Sequence, residues 1–300
     1  MLSEIIALGK RIYNTDNPRE LHRFIVFVGR AMLHASAMRD LYAWYQQDEF
    51  RRQVLTQNPF PLEQVTRAFF YKGSTFVERC ALVKQHMLTL QTCLKPESCL
   101  QLATLYHPMT VWHSQEMPDW YVELNNEPGQ RKEGMLSLRM FYQDIVLYQV
   151  MFWLGQGPAG AQAMYIGALQ GPNVEHARDI IKEVTKKSFR YRTKNLAIYM
   201  AQAVARMLQM QHIYAVTNEG YYAQNHVRRD RKLKTDFGEF WAECGGQPTL
   251  DERFYELPMV EPRKAIEDVK SQKRNLYRKR YAFLDDVDAQ IAASIQPSLC

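Results

Sequence analysis

Apolar residues recur at helical spacing through the first third of the chain. Between residues 19 and 36 they fall every three or four positions, which predicts an amphipathic helix. The same spacing predicts further helical units over 38–55, after Pro61 and over 75–94. Because prolines separate these units, we expect several short helices rather than one long one.

The pattern then changes to the alternation that is typical of strands. Residues 135–142 alternate apolar and more polar positions, as a half-buried strand does. Strands are also predicted at 120–125, 163–169 and 212–218. The stretch 145–154 is almost wholly apolar, which predicts a central strand buried on both faces.

Two helices, at 174–187 and 195–208, are predicted between the strands at 163–169 and 212–218. Meander strands followed by a helical crossover indicate a mixed sheet with a parallel pair near its end. We therefore expect an α+β fold. A helical N-terminal subdomain (1–105) packs on a mixed, mainly antiparallel sheet domain (106–300), which ends in a basic helix near 265–293.

Composition narrows the class of protein only modestly. The 300 residues carry a net charge of +6, with a pI near 9.0. This balance suits an anionic small molecule, a lipid headgroup or a membrane surface as partner, and it does not require nucleic acid. The sequence has no apolar run long enough to span a membrane, and its N-terminus, with Glu4, is typical of a helix rather than a signal peptide. We expect a cytoplasmic protein, with peripheral contact to the inner membrane as an open alternative.

The five cysteines form no CxxC pair, and their number is odd. We therefore expect neither a zinc site nor a disulfide framework, but reduced thiols. No metal ligands are predicted. Ser-His-Asp, P-loop and HExxH motifs are absent as well, so the corresponding mechanisms have no support in the sequence.

Several separated motifs resemble one known family. They are KEGMLSLRMF (132–141), MYIGALQGPN (164–173), Thr185-Lys186, Arg192 with Lys194, YAVTNEGYY (214–222), DFGEFWAECGG (236–246), FYELP (254–258) and KRNLYRKRYAFLDD (273–286). In this order they resemble the bacterial VirK/YbjX family, a domain of unknown function. The resemblance implies a role in cell-envelope integrity, virulence and resistance to cationic antimicrobial peptides, but it supplies no catalytic residues.

The chain departs from that family in the loop before the second crossover helix. Family members commonly have Gly and Pro there, whereas this loop reads FRYRTKN, with Arg190 and Thr193. A conformational requirement for Gly is therefore not met in this chain, which leaves the details of the loop open.

The order strand, helix, strand over 163–218 also resembles the core of the GNAT acyltransferase fold. In that fold the N-terminus of a crossover helix receives the pyrophosphate of acyl-CoA, the cofactor that this likeness implies. Here Arg190, Arg192 and Lys194 would add charge-assisted hydrogen bonds, with Gln170 and Gly171 on the opposite rim. The glycines that let a backbone approach pyrophosphate are absent. A plain basic surface and a lipid-headgroup site therefore stay open.

A second candidate site follows the last predicted strand, where ligands of mixed α/β sheets often bind. Its polar residues are Asn218, Glu219, Tyr221, Tyr222, Asn225 and His226. His226 is a candidate general base, and so is Glu219 if the fold buries it; Asn218 and Tyr222 are candidate ligand-binding residues. The alternative is that Asn218 caps a turn and the tyrosines pack.

Two further segments allow both a structural and a functional interpretation. Glu133-Gly134 is interpreted as a hairpin turn between two early strands, with a site role as the alternative. The basic stretch 273–281 could bind anionic lipid or nucleic acid, but its interleaved tyrosines favour docking onto the body of the protein.

Three functions follow from these observations. The first is an accessory protein that supports the envelope by binding an anionic ligand. The second is an acyl- or aminoacyl-transferase that modifies an envelope component such as lipid A. Nucleic-acid binding ranks last, because the net charge is modest and no recognised module is present.

Overall fold

The computed structural model describes residues 2–158, 160–225 and 236–300. Its helices are α1 (Leu2–Ile12), α2 (Pro18–Leu33), α3 (Ala35–Gln46), α4 (Glu49–Gln57), α5 (Phe60–Gln64), α6 (Phe76–Cys93), α7 (Pro96–Ala103), α8 (Ala177–Lys187), α9 (Thr193–Met207), α10 (Phe237–Glu243) and α11 (Ser271–Ile295). Its strands are β1 (Met109–His113), β2 (Trp120–Asn125), β3 (Leu136–Tyr142), β4 (Ile145–Gln156), β5 (Gln162–Gln170), β6 (His212–Val216), β7 (Gln247–Pro248) and β8 (Phe254–Leu257).

The strands form one sheet in the order β1-β2-β3-β4-β5-β6-β8-β7. Among the described strands, β5 and β6 pair in parallel and the other neighbours pair antiparallel. The predicted α+β class with a mixed, mainly antiparallel sheet is therefore confirmed. Strands β1, β7 and β8 were not predicted, and the two and four residues of β7 and β8 are too few to show alternation.

Three predicted helices need correction. The single unit expected over 38–55 is two helices, because α3 ends at Gln46 and Asp48 then caps α4 by accepting from the Arg51 N–H at 2.9 Å. The unit after Pro61 shrinks to the short helix α5. The final helix begins at Ser271, and a short 3-10 turn at Ile266–Asp268 precedes it.

Helices cover both faces of the sheet, and the second half of the central strand β4, from Val150 to Gly155, is buried as predicted, whereas most of its first half is half-buried. On one face Trp153 stacks on Tyr165 with ring centroids 5.3 Å apart, beneath helices α1 to α6. On the other face Phe152 and Leu154 join a core that α9 and α11 supply. The N-terminal helices thus share a core with one face of the sheet. The division into domains at residue 105 stays a prediction.

A buried histidine of helix α6 forms a hydrogen bond with the backbone of β4. Strand β3 begins at Leu136, opposite Phe152, so the Leu154 N–H lies beyond the reach of β3. His86 Nδ1 accepts this N–H at 3.1 Å. Burial lowers the pKa of His86 to about 3, so its imidazole stays neutral and able to accept.

A buried carboxylate joins the N-terminal helices to the turn before β3. Glu63 is 2% exposed and accepts from the Tyr13 hydroxyl at 2.6 Å and from Arg131 Nε at 2.7 Å. Arg67 lies 3.5 Å from the same carboxylate. Because a buried charge is costly without partners, this cluster fixes the turn after residue 130 against α1 and α5.

Strand β5 carries a bulge that shapes the centre of the molecule. The register passes from Met151 opposite Ala168 to Phe152 opposite Ile166, so it skips Gly167. A Cβ atom at Gly167 would lie 1.8 Å from the Glu133 carbonyl oxygen. The turn before β3 therefore rests directly on the backbone of β5, at a place where only glycine fits.

We predict that Gly167→Ala lowers the free energy of unfolding by about 3 kcal/mol, because a methyl group would push the Glu133 backbone off the bulge. Chemical denaturation measures this change. Gly171→Ala is the matched control, since its Cβ would meet only the Tyr148 ring at 3.4 Å. Equal losses in the two variants would contradict the prediction.

Candidate functional site

The parallel strands β5 and β6 pair over only part of their length. Pairing runs from Ala163 opposite His212 to Ile166 opposite Ala215, while β5 continues to Gln170. Beyond this ladder, side chains from other segments occupy the carboxyl ends of the two strands. Ligands of mixed sheets often bind at such a point.

Glu133 lies at this point and links the two strand ends. Its backbone rests on the β5 bulge, and its Oε1 atom accepts from the Tyr221 hydroxyl at 2.9 Å. Tyr221 belongs to the segment that follows β6. Gln170, at the end of β5, lies close enough to this carboxylate to lower its pKa. One carboxyl group therefore lies between the end of β5 and the segment that follows β6.

The turn that carries Glu133 is held in place by its surroundings. The N–H groups of Glu133 and Gly134 both donate to the Gln130 carbonyl at 3.0 Å. Gln64 Nε2 donates to the Gly134 carbonyl at 3.1 Å. A Cβ atom at Gly134 would lie 2.6 Å from the Phe152 nitrogen, so this glycine allows the turn to lie against β4. The carboxyl group is thus preorganised rather than carried on a mobile loop.

Burial changes the acid–base behaviour of Glu133. Glu133 is only 3% exposed, and this desolvation raises the pKa of its carboxyl from 4.5 to about 7. The hydrogen bonds from Tyr221 and Gln170 oppose that rise without cancelling it. A carboxyl with a pKa near neutrality can accept and release a proton under physiological conditions, as a general base must.

Tyr221 is positioned by aromatic contacts. Its ring lies 4.9 Å from that of Tyr222 and 6.0 Å from that of Phe237, and its backbone forms a bridge with Tyr71. Burial, followed by the neighbouring Glu133, raises the pKa of the Tyr221 phenol above its ordinary value. The phenol therefore keeps its proton and stays a hydrogen-bond donor to Glu133.

The two rims that were predicted to face each other have different neighbours in the structure. Gln170 contacts Glu133, and Gly171 lies beside Tyr148. Arg192 instead pairs with Glu243 at 2.9 Å, and the Lys194 ammonium lies 3.5 Å from the centroid of the Phe240 ring. Among the described contacts, none joins the basic loop to Gln170 or Gly171.

Arg190 takes a left-handed backbone conformation, with φ of 59°, after Phe189 with φ of 52°. The Arg280 guanidinium of α11 donates to the carbonyls of both residues at 3.1 Å. Both residues therefore adopt a backbone conformation that glycine favours, although neither is glycine. The hydrogen bonds from Arg280 stabilise Phe189 and Arg190 in a region of φ/ψ space that residues other than glycine rarely occupy.

A cavity of about 170 Å³ does lie beside the start of α9. Tyr191 and Asn195 line it, together with two carboxylates, Glu243 and Glu261. Tyr191 donates to Glu261. The carboxylates oppose the attraction of a phosphate to this cavity. Phosphate binding by Arg190, Arg192 and Lys194 stays a prediction.

The second candidate cluster is largely structural in its described contacts. Asn218 Oδ1 accepts from the Phe237 N–H at 2.6 Å, at the first turn of α10. Tyr222 is buried and meets the Phe69 ring edge-on at 5.9 Å. The Glu219 side chain is 73% exposed and pairs with Lys72, so the burial that a general base required is not observed. His226 and the Asn225 side chain lie outside the described residues.

The sequence alone predicts a hairpin turn at Glu133-Gly134 and leaves a site role as the alternative. The available signals were an acidic residue beside Gly134 directly before an apolar strand, and a glycine inside the strand at 167. Glycine inside a strand often marks a bulge or a close backbone approach. The sequence does not show which backbone approaches it.

The basic C-terminal helix docks onto the body of the protein. Leu284, Val287 and Ile291 of α11 are buried in the main core. The Tyr281 hydroxyl donates to the Lys264 carbonyl at 2.9 Å, so this tyrosine also joins the helix to the segment that precedes it. Within the described ranges, none of the helices has the length and apolarity that a membrane span requires.

The fold and site define a mixed α/β protein with a buried carboxyl where two parallel strands diverge. Residues 16–293 match a family described as a protein of unknown function, DUF535, and the chain belongs to this family. It is 28% identical to the uncharacterized protein YbjX of Escherichia coli K12, over 80% of this chain and 73% of that protein.

Two further relatives extend this comparison. An uncharacterized Haemophilus influenzae protein is 22% identical over 95% of this chain and 94% of its own length. A Mannheimia haemolytica protein named membrane protein LapB is 24% identical over 59% of this chain and 80% of its own. The resemblance to the VirK/YbjX family is thus confirmed. No solved structure matches the chain at a significant level.

We predict that Glu133→Gln changes the pH dependence of stability. Between about pH 4.5 and 7 the folded protein keeps the Glu133 proton that the unfolded chain has released, so this group lowers stability as pH rises. Relative to Glu133→Gln, the wild type should lose about 3 kcal/mol across this interval and then level off. Denaturant titrations at several pH values measure the difference. Glu219→Gln, at an exposed carboxylate, is the control, and a flat difference for Glu133→Gln would contradict the prediction.

Proposed function

We propose that this protein is a group-transfer enzyme in which Glu133 is the general base. The observation that carries the proposal is the position of its buried carboxyl between Gln170 at the end of β5 and Tyr221 after β6. The bulged strand, the parallel partner and the crossover helices between them also support a likeness to the GNAT acyltransferase sheet. An acyl thioester such as acyl-CoA is the donor that this likeness favours.

The proposed step uses the described residues in separate roles. The Glu133 carboxylate removes a proton from the amine or hydroxyl of the acceptor as that atom attacks the thioester carbonyl. The new bond to the carbonyl carbon forms, the carbon–sulfur bond breaks, and the leaving thiolate takes up one proton from solvent. Glu133 releases the proton that it accepted, which restores its carboxylate. Tyr221 and Gln170 position the base. The products are an acylated acceptor and a free thiol.

An envelope component such as lipid A is the acceptor class that we favour. The support comes from the resemblance to the VirK/YbjX family and from the relative named as a membrane protein. We propose that the modification helps the cell to resist cationic antimicrobial peptides and supports virulence. In this proposal the protein acts in the cytoplasm, on the inner face of the envelope.

We predict that Glu133→Gln abolishes the function while the fold is kept. In a deletion strain, peptide survival should be restored by the wild type and by Glu219→Gln, but not by Glu133→Gln. With purified protein and a panel of acyl-CoA donors, turnover should fall by about 100-fold or more in Glu133→Gln. Wild-type turnover should rise with pH through about 7, as the base loses its proton. Full activity of Glu133→Gln in both assays would contradict the proposal.

A specific cleft favours a second candidate, a non-catalytic protein that binds an anionic ligand. This cleft has a volume of about 420 Å³ and lies between the β1–β2 turn and α11. Trp120 and Phe283 stack in its wall, and Lys187 and Lys279 line it together with the carboxylates of Glu116 and Asp286. Such a cleft has the size of a ligand site, and its two lysines are the groups that would pair with the charge of an anionic ligand that also has an apolar part.

The two candidates make opposite predictions for matched variants. If binding alone supports the function, Lys187→Ala with Lys279→Ala should lose resistance and binding to anionic lipid vesicles, while Glu133→Gln keeps both. If catalysis supports it, Glu133→Gln is the damaging change. Lys273→Ala, at an exposed position of the same helix, controls for the general loss of positive charge.

A further inference from the structure

The C-terminal ends of three helices meet at one place in the fold. Helix α6 ends at Cys93, whose thiol donates to the Leu208 carbonyl just after α9 at 3.2 Å. The segment after α11 runs back to the same place. Lys95 Nζ donates to the Pro297 carbonyl at 2.7 Å. The N-terminal helices, the crossover and the C-terminal helix are thus joined here by hydrogen bonds.

The last residues pair with the end of α6 in a short antiparallel register. Leu94 and Leu299 form the bridge. On one side of it the Lys95 N–H donates to the Ser298 carbonyl at 2.9 Å, and on the other the Cys300 N–H donates to the Cys93 carbonyl at 3.1 Å. Bonds on both sides of a bridge fix the register, so Cys93 and Cys300 lie opposite each other.

This register satisfies the backbone requirement of a disulfide. Opposite residues joined by such a hydrogen bond have Cα atoms roughly 5.5 Å apart. Disulfides form when the Cα atoms are about 4.4–6.8 Å apart. Both thiols are free, Cys300 is exposed, and Cys93 is partly buried. We propose that Cys93 and Cys300 are an oxidation site, at which a low-molecular-weight disulfide converts the two thiols into an intramolecular bridge.

The exposures of the thiols give the order of the reaction. The exposed Cys300 thiolate attacks the external disulfide, forms a mixed disulfide and releases one thiol. The Cys93 thiolate then attacks the Cys300 sulfur, which forms the bridge and releases the second thiol. Two protein thiols are oxidised and one external disulfide is reduced to two thiols, so the electrons and protons balance.

Cys99 is the competing partner, and its surroundings disfavour it. It is 1% exposed, and burial raises the pKa of its thiol to about 12. It lies on α7, outside the paired segment, so no backbone register holds it opposite Cys300. Cys93 is less buried, although burial and Cys300 also raise the pKa of its thiol. Cys93 is therefore the better resolving thiol.

The bridge would fasten the end of α11 to the end of α6 and so restrict the unfolded chain. A cross-link between residues far apart in sequence stabilises the folded state mainly by this restriction. Oxidation would therefore change the stability of the fold without touching Glu133. The proposed oxidation of Cys93 and Cys300 can therefore fail while the proposed transferase function holds, and the reverse.

We predict that oxidised glutathione converts the full chain to a form lacking two hydrogens, with Cys93 linked to Cys300 on peptide mapping. Cys93→Ser should stop at a glutathione adduct on Cys300, whereas Cys99→Ser and Cys244→Ser should form the bridge as the wild type does. The bridged protein should melt several degrees above the reduced one, and Cys93→Ser should show no such rise.

Two results would overturn the inference. The first is a wild type that keeps the glutathione adduct without closing the bridge, or that links Cys99 instead. The second is a bridged protein that melts no higher than the reduced one, which would remove the stabilising role. Because serine can still donate to the Leu208 carbonyl, Cys93→Ser should fold, and its circular dichroism spectrum verifies this.

Discussion

The close approach of the Glu133 carbonyl to Gly167 is the contact on which the centre of this structure depends. It needs a strand position without a Cβ atom, and the β5 bulge provides one by moving Gly167 out of the ladder. It also needs a turn that can lie flat on the sheet, which Gly134 allows. Both glycines allow the backbone of the turn before β3 to pack directly against the backbone of the sheet.

This packing makes the fold and the candidate site parts of one arrangement. Once the turn rests on β5, Glu133 is only 3% exposed, so its carboxyl depends on partners within the protein. Tyr221, from the segment after β6, donates a hydrogen bond to it, and Gln170, at the end of β5, lies beside it. The cost of burying the carboxyl appears as its raised pKa, which is also the property that a general base needs. The packing around Glu133 therefore holds the site in place, whereas the charged form of its carboxyl lowers the stability of the fold.

Elements with a long periodic pattern could be predicted from the sequence, and short or long-range features could not. Strands β3 to β5 and helices α6 and α9 follow from alternation and helical spacing, because those signals are local. Strand β8 has only four residues and acquires its identity by pairing with β6. The role of Glu133 depends on Gly167 and Tyr221, which are distant in sequence, so neighbouring residues reveal only a turn. The family resemblance identified the chain but gave no site.

The basic loop before α9 shows why charge in a sequence is weak evidence for a ligand. Arg192 and Lys194 would attract phosphate if they were free, but a sequence does not show that Glu243 and Phe240 of α10 lie beside them. Exposed charges find counter-charges at little cost, so a cluster of cations is compatible with many surfaces. A carboxyl group that is buried and shared between two strand ends has few structural explanations, because desolvation penalises its charged form. The chemistry of this protein is therefore better sought at Glu133 than along its basic surface.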